Sequence, residues 1–87
     1  MPFEFDENKS ISNRKKHGID FIEAQNLWND PERVIIPAKE LNQIRHMIIG
    51  RIDKTIWSAI YTIRKESIGI ISVRKARENE KEIYESF

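Results

Sequence analysis

From Val34 to Arg74 the chain is dominated by apolar, β-branched runs broken by short polar doublets. Val34-Ile35-Ile36 stops at Pro37, and three longer runs follow: Ile44–Arg51, Thr55–Ile63 and Ile68–Arg74. Asp53-Lys54 and Lys65-Glu66 separate those three. Doublets this short suit hairpin connections, so the runs predict an antiparallel meander. The runs are too continuous for clean alternation, which implies central strands covered on both faces. The covering layers must come from the flanks.

Those flanks read as helices. Phe3-Glu4-Phe5 alternates like a short edge strand, and Asp6 then makes a good N-cap for a helix over Glu7–His17. Gly18 suits its C′ position, and Lys15, Lys16 and His17 fall in the last turn, where the helix dipole favours cations. Ile11 is its only strongly apolar residue, so this helix must lie across a surface rather than be held by a stripe of its own. A second helix is capped by Asp20 with Glu23 three residues on, buries Phe21, Ala24, Leu27 and Trp28, and stops at Asn29-Asp30-Pro31. A third, from about Lys75 to Tyr84, aligns Ala76, Glu80, Ile83, Tyr84 and Phe87. The expected fold is α+β, in the order β-α-α-β-β-β-β-α, with a central mainly antiparallel sheet packed by helices.

Residues 1–87 suffice for one domain with a modest core. Charged residues at 33% beside 39% hydrophobic ones describe a globular chain with a heavily charged surface. Without cysteine there are no disulfides and no thiolate metal sites. No apolar run approaches the roughly 20 residues of a membrane helix, and the acidic N-terminus is unlike a signal peptide. A cytoplasmic protein without a membrane partner is expected.

Net charge is only +1, but it is segregated: residues 9–17 and 64–77 each carry +4, while 1–8, 18–42 and 78–87 each carry −3. Two basic segments on a nearly neutral molecule can form one local face for a polyanion. Charge alone equally describes solvated surface.

The pattern of reactive side chains narrows the chemistry. His17 and His46 are far apart, the acidic residues do not cluster, and there is neither a metalloprotease spacing nor a glycine-rich phosphate loop. No nucleophile elbow is present. The residues therefore point to neither a metal nor another cofactor. They suit phosphodiester chemistry on RNA, where the ribose 2′-hydroxyl is itself the nucleophile. A histidine can then move the proton and guanidinium groups can stabilise the phosphorane. His17 beside Lys16 is the better placed imidazole, although a histidine at a helix end can also serve only the dipole. His46, between Arg45 and Met47, reads as a sheet-face residue. Arg74 shares its parity with Ile68, Ile70 and Ser72, which projects it over that sheet face or into an ion pair with Glu80 or Glu78. Tyr61 and Tyr84 read first as core.

Phe5-Asp6-Glu7-x-Lys9-x-x-x-Asn13-x-x-Lys16-His17-Gly18-x-x-Phe21 resembles the opening signature of the BrnT toxins. The resemblance continues through Asp30-Pro31 and Ile49-Gly50 into Ile71-Ser72-x-Arg74-x-Ala76-x-x-x-Glu80-x-x-x-Tyr84-Glu85. Phe5 stands where that family more often has Trp, and Pro37–Gln43 matches nothing distinctive. The resemblance implies a RelE-like fold and a ribonuclease toxin of a type II toxin–antitoxin system. It implies a BrnA-like antitoxin as partner, operator DNA reached only through that antitoxin, and a heterotetrameric complex. The matching positions Lys16, His17, Arg74, Glu80 and Tyr84 become the catalytic candidates. Lys9, Lys15, Arg45, Arg51, Arg64 and Arg77 become the candidates for contact with an RNA substrate. In this scheme Glu80 orients Arg74. The competing reading is a non-catalytic nucleic-acid- or protein-binding module on the same scaffold.

Overall fold

A computed structural model describes residues 2–40 and 43–86. Phe87, expected on the third helix, lies outside them. The elements are β1 (Phe3–Glu4), α1 (Glu7–His17), α2 (Phe21–Ala24) continued by a 3₁₀ segment (Gln25–Asn29), β2 (Val34–Glu40), β3 (Gln43–Ile52), β4 (Thr55–Arg64), β5 (Ser67–Lys75) and α3 (Glu78–Glu85). The sheet order is β1-β5-β4-β3-β2, with β1 parallel to β5 and every other pair antiparallel. This is the expected order, and the architecture is that of a RelE-like α+β fold.

Each face of the sheet carries a packed apolar cluster, but the runs are not covered throughout: Ile35, Ile44 and Ile63 stay exposed on β2, β3 and β4. Ile48, Ala59, Tyr61, Ile68, Ile70 and Val73 form one face and pack against Ile19, Phe21, Ala24 and Leu27 from α2 and its surroundings. Ile49 and Ile56 on the other face pack with Ala76 and Tyr84 around α3. Gly50 lets the 3₁₀ segment approach: a Cβ there would sit 3.1 Å from a Leu27 methyl and 3.4 Å from an Asp30 carboxylate oxygen.

Three expectations are corrected. First, β2 does not stop before Pro37 but runs to Glu40, with Pro37 opposite His46. An edge strand tolerates proline because its outward N–H has no ladder partner to lose. Second, α3 does not begin at Lys75. Lys75 still pairs with Trp57, and Ala76 N–H donates to the Ile56 carbonyl at 2.9 Å, so the ladder outlasts Arg74 and the helix begins at Glu78. Third, Arg74 does not share a face with Ile68 and Ile70. Ile60 pairs with Ser72 and Tyr61 with Ile70, which leaves Ile71 as an unpaired extra residue. This bulge inverts the parity beyond it, so Arg74 stands opposite Ser58 on the α3 side.

Helix α1 is attached in an unusual way. Its apolar residue Ile11 is 56% exposed, whereas Ser10 and Asn13 are buried. The Ser10 hydroxyl accepts a hydrogen bond from Phe21 N–H at 2.9 Å. The Asn13 amide donates to the carbonyls of Ile19 and Val73, both at 2.8 Å, and accepts from Val73 N–H at 3.2 Å. Polar pins hold this helix to the sheet in place of an apolar stripe.

Candidate functional site

Helix α1 ends where Gly18 turns into the left-handed region, at φ 80°, and donates its N–H to the Arg14 carbonyl at 2.9 Å. That turn costs little only for glycine. It stops the helix with Lys16 and His17 exposed at its end. Strand β5 ends nearby at Lys75, and the chain then enters α3 through Arg77. These ends enclose a cleft of about 380 Å³ lined by Lys16, His17, Arg74, Lys75 and Arg77. The two basic segments of the sequence meet here. Every lining residue is a cation or an imidazole.

Arg74 is fixed from behind. Its guanidinium donates to both carboxylate oxygens of Glu80, at 2.7 and 2.9 Å, and to the Lys75 carbonyl at 3.3 Å. Glu80 is 6% exposed and also accepts from Arg77 N–H and the Ser58 hydroxyl, each at 2.9 Å. The bond to Arg77 N–H caps α3 at the same time. The Arg74 hydrogen bonds, helped by those from Arg77 and Ser58, outweigh desolvation and hold the Glu80 carboxyl at about 2. Glu80 in turn pushes the Arg74 guanidinium further up than usual, against a smaller effect of burial. Arg74 is thus a rigid, permanently charged fork. Three of its five N–H donors are engaged, which leaves two for a ligand.

Tyr84 does not line the cleft. One helical turn beyond Glu80, it is 5% exposed, and its hydroxyl donates to Asp30 at 2.7 Å. Asp30 also accepts from Arg51 N–H at 2.8 Å and Glu32 N–H at 2.9 Å. Burial works to raise the Asp30 carboxyl, but these hydrogen bonds prevail and lower it. Burial and the Asp30 bond raise the Tyr84 phenol. The Arg51 guanidinium lies over the Tyr84 ring at 5.7 Å from its centroid. This cluster clamps α3 to the loop before β2.

The remaining candidates are dispersed. Lys15 is exposed on the last turn of α1, and Arg77 lines the cleft. Lys9 and Arg64 line a separate hollow of about 430 Å³ with Glu4, Asp6 and Phe5, and Arg64 stands 3.9 Å from the Glu4 carboxylate. Arg45 lies on β3 opposite Ala38. His46 stacks on Tyr61 at 5.3 Å, inside an aromatic series that passes through Trp28 to Phe3. Two participants were not singled out as site residues in the sequence reading. Lys75 lines the cleft, and Asn13, although part of the opening signature, joins the two ends that form it. The sequence offered no more than an asparagine one turn before the basic end of a helix with almost no apolar residues; its burial appears only in the fold.

The fold and the cleft define a small α+β protein of RelE-like architecture with a cationic cleft at the rim of its sheet. The model of the family described as the ribonuclease toxin BrnT of type II toxin–antitoxin systems matches residues 5–80. The chain belongs to that family, whose partner is a protein antitoxin. No curated protein sequence matches it. Among the described residues no helix is long and apolar enough to cross a membrane.

Proposed function

We propose that this toxin is a metal-independent endoribonuclease acting through the Lys16–His17–Arg74 cleft. The carrying observation is the convergence of one imidazole with four cations, from opposite ends of the chain, on one cleft. RNA supplies its own nucleophile, the ribose 2′-hydroxyl, so the protein need only move protons and stabilise negative charge. His17 is the proton-transfer group, because it is the one imidazole among the lining residues. Arg74, held by Glu80, presents its remaining donors to the phosphorane oxygens without reorganising during reaction. Lys16, Lys75 and Arg77 bind the flanking phosphates, and Lys9, Lys15, Arg45, Arg51 and Arg64 extend the basic surface beyond the cleft. Tyr84 keeps α3, and hence Glu80, in place. The antitoxin is a BrnA-like protein that covers the cleft and carries the contact with operator DNA, in a heterotetramer.

The test is RNA cleavage in EDTA by the purified toxin, free of antitoxin, compared with His17→Ala and Arg74→Ala. Each substitution should lower the rate at least 100-fold. Full activity in both variants would remove these roles, and loss of wild-type cleavage in EDTA would remove the metal-free mechanism. A chain that neither cleaves RNA nor arrests growth when induced alone would instead be a binding module.

A further inference from the structure

We infer that Asn13 is the positioning residue that sets the distance between His17 and Arg74. The inference rests on the reading of their shared cleft as the reaction site. Strand β1 pairs with β5 at Ile68 and Gly69, so beyond that point no strand among the described residues covers the outer edge of β5. Val73 presents both its N–H and its carbonyl to that edge, and Asn13 meets both: its amide nitrogen donates at 2.8 Å and its oxygen accepts at 3.2 Å. The side chain thus pairs with the strand as a peptide group would. The same nitrogen donates to Ile19 at 2.8 Å, which ties in the turn that follows α1.

The placement matters because of what adjoins each end of these bonds. Val73 immediately precedes Arg74. On α1, Lys16 and His17 lie three and four residues beyond Asn13, within one helical turn. Asn13 is 7% exposed and is buried by the joint it makes. Helix α1 has no apolar residue to hold this register in its place, since Ile11 faces solvent. Without the amide, the helix end and the strand end lose their only direct side-chain link among the described hydrogen bonds. A shift of about 1 Å between groups that must act on one phosphate is enough to cost about 100-fold in rate.

A double-mutant cycle tests this, using the full chain with Asn13→Ala and the size-matched Asn13→Asp. Rates are corrected for the folded fraction measured by urea denaturation. Either substitution should lower kcat about 100-fold with KM changed less than about threefold. In a His17→Ala background the same substitution should change the residual rate less than about twofold, because there is no longer a proton-transfer group to misplace. Equal losses in both backgrounds would show that Asn13 only stabilises the fold and would overturn the inference. A second readout needs no cleavage. An RNA oligonucleotide with one 2′-deoxy linkage is titrated while NMR follows the His17 ring and the Arg74 Nε–H. In the wild type both signals should move along one isotherm, and in Asn13→Asp their shifts at saturation should fall at least about twofold while affinity changes less than about threefold. If the wild type binds in this way yet never cuts RNA, the ribonuclease mechanism fails and the positioning role stands. Unchanged shifts of both groups at saturation in Asn13→Asp overturn the positioning role whatever the cleavage result.

Discussion

Glu80 concentrates several functions in one carboxylate: it pairs Arg74, caps α3 and satisfies Ser58. Its folded pKa of about 2 lies below the ordinary 4.5, so the unfolded chain takes up this proton first as pH falls. The resulting stability is fully present above about pH 4.5 and is lost as pH falls through about 2, a contribution of roughly 3 kcal/mol. Urea denaturation of the wild type and Glu80→Gln should therefore show a gap at pH 6 that closes towards pH 2. The variant should also lose RNA cleavage at neutral pH, because Arg74 is no longer held. Tyr84 gives a contrasting expectation. Tyr84→Phe removes the donation to Asp30, while two backbone N–H groups still serve that carboxylate. It should lower stability by about 1–2 kcal/mol and leave the rate of the folded fraction nearly unchanged. A Tyr84 that donated a proton to substrate would show the opposite pattern in the same two measurements.

Among the elements, β5 decides whether a site exists. Ile71 is the extra residue that turns Arg74 away from the face of Ile68 and Ile70 and towards Glu80. Deleting Ile71 restores simple alternation and carries Arg74 to the α2 side, away from its carboxylate. That variant should retain strand signal by circular dichroism, melt at lower temperature and cleave RNA at least 100-fold more slowly. Helix α1 shows the complementary principle. Its cap at Asp6 and its end at Gly18 were legible from residue type, because capping is local chemistry. Its attachment was not legible: Ser10 and Asn13 bond to partners 11 and 60 residues away.

For the molecule as a whole, charge segregation matters more than net charge. With +1 overall, binding of RNA should depend on the cleft and its surroundings, and so weaken steeply with salt. Lys16→Ala should weaken RNA binding for all sequences alike and reduce the slope of log K against log salt by about 0.7, the single-strand value for one phosphate contact. Fluorescence anisotropy with a labelled 2′-deoxy-substituted RNA across a salt series measures this directly. An unchanged slope would place Lys16 outside the phosphate path.

Element order, the hairpin doublets and the helix caps follow from neighbouring residues, because propensity, capping and turn geometry act over a few positions. The separate halves of the cleft, Lys16-His17 and Arg74, were visible in the same way. Their union was not, since no local rule brings residue 17 beside residue 74. It needed the Asn13 bridge to the open edge of β5. Strand parity, read without the bulge, put Arg74 on the wrong face, because an extra residue shows itself only in pairing with β4. Sequence alone determined which groups were present and on which kind of element. The tertiary structure decided which of them meet, because hydrogen bonds between distant backbone and side-chain groups exist only once the sheet has closed.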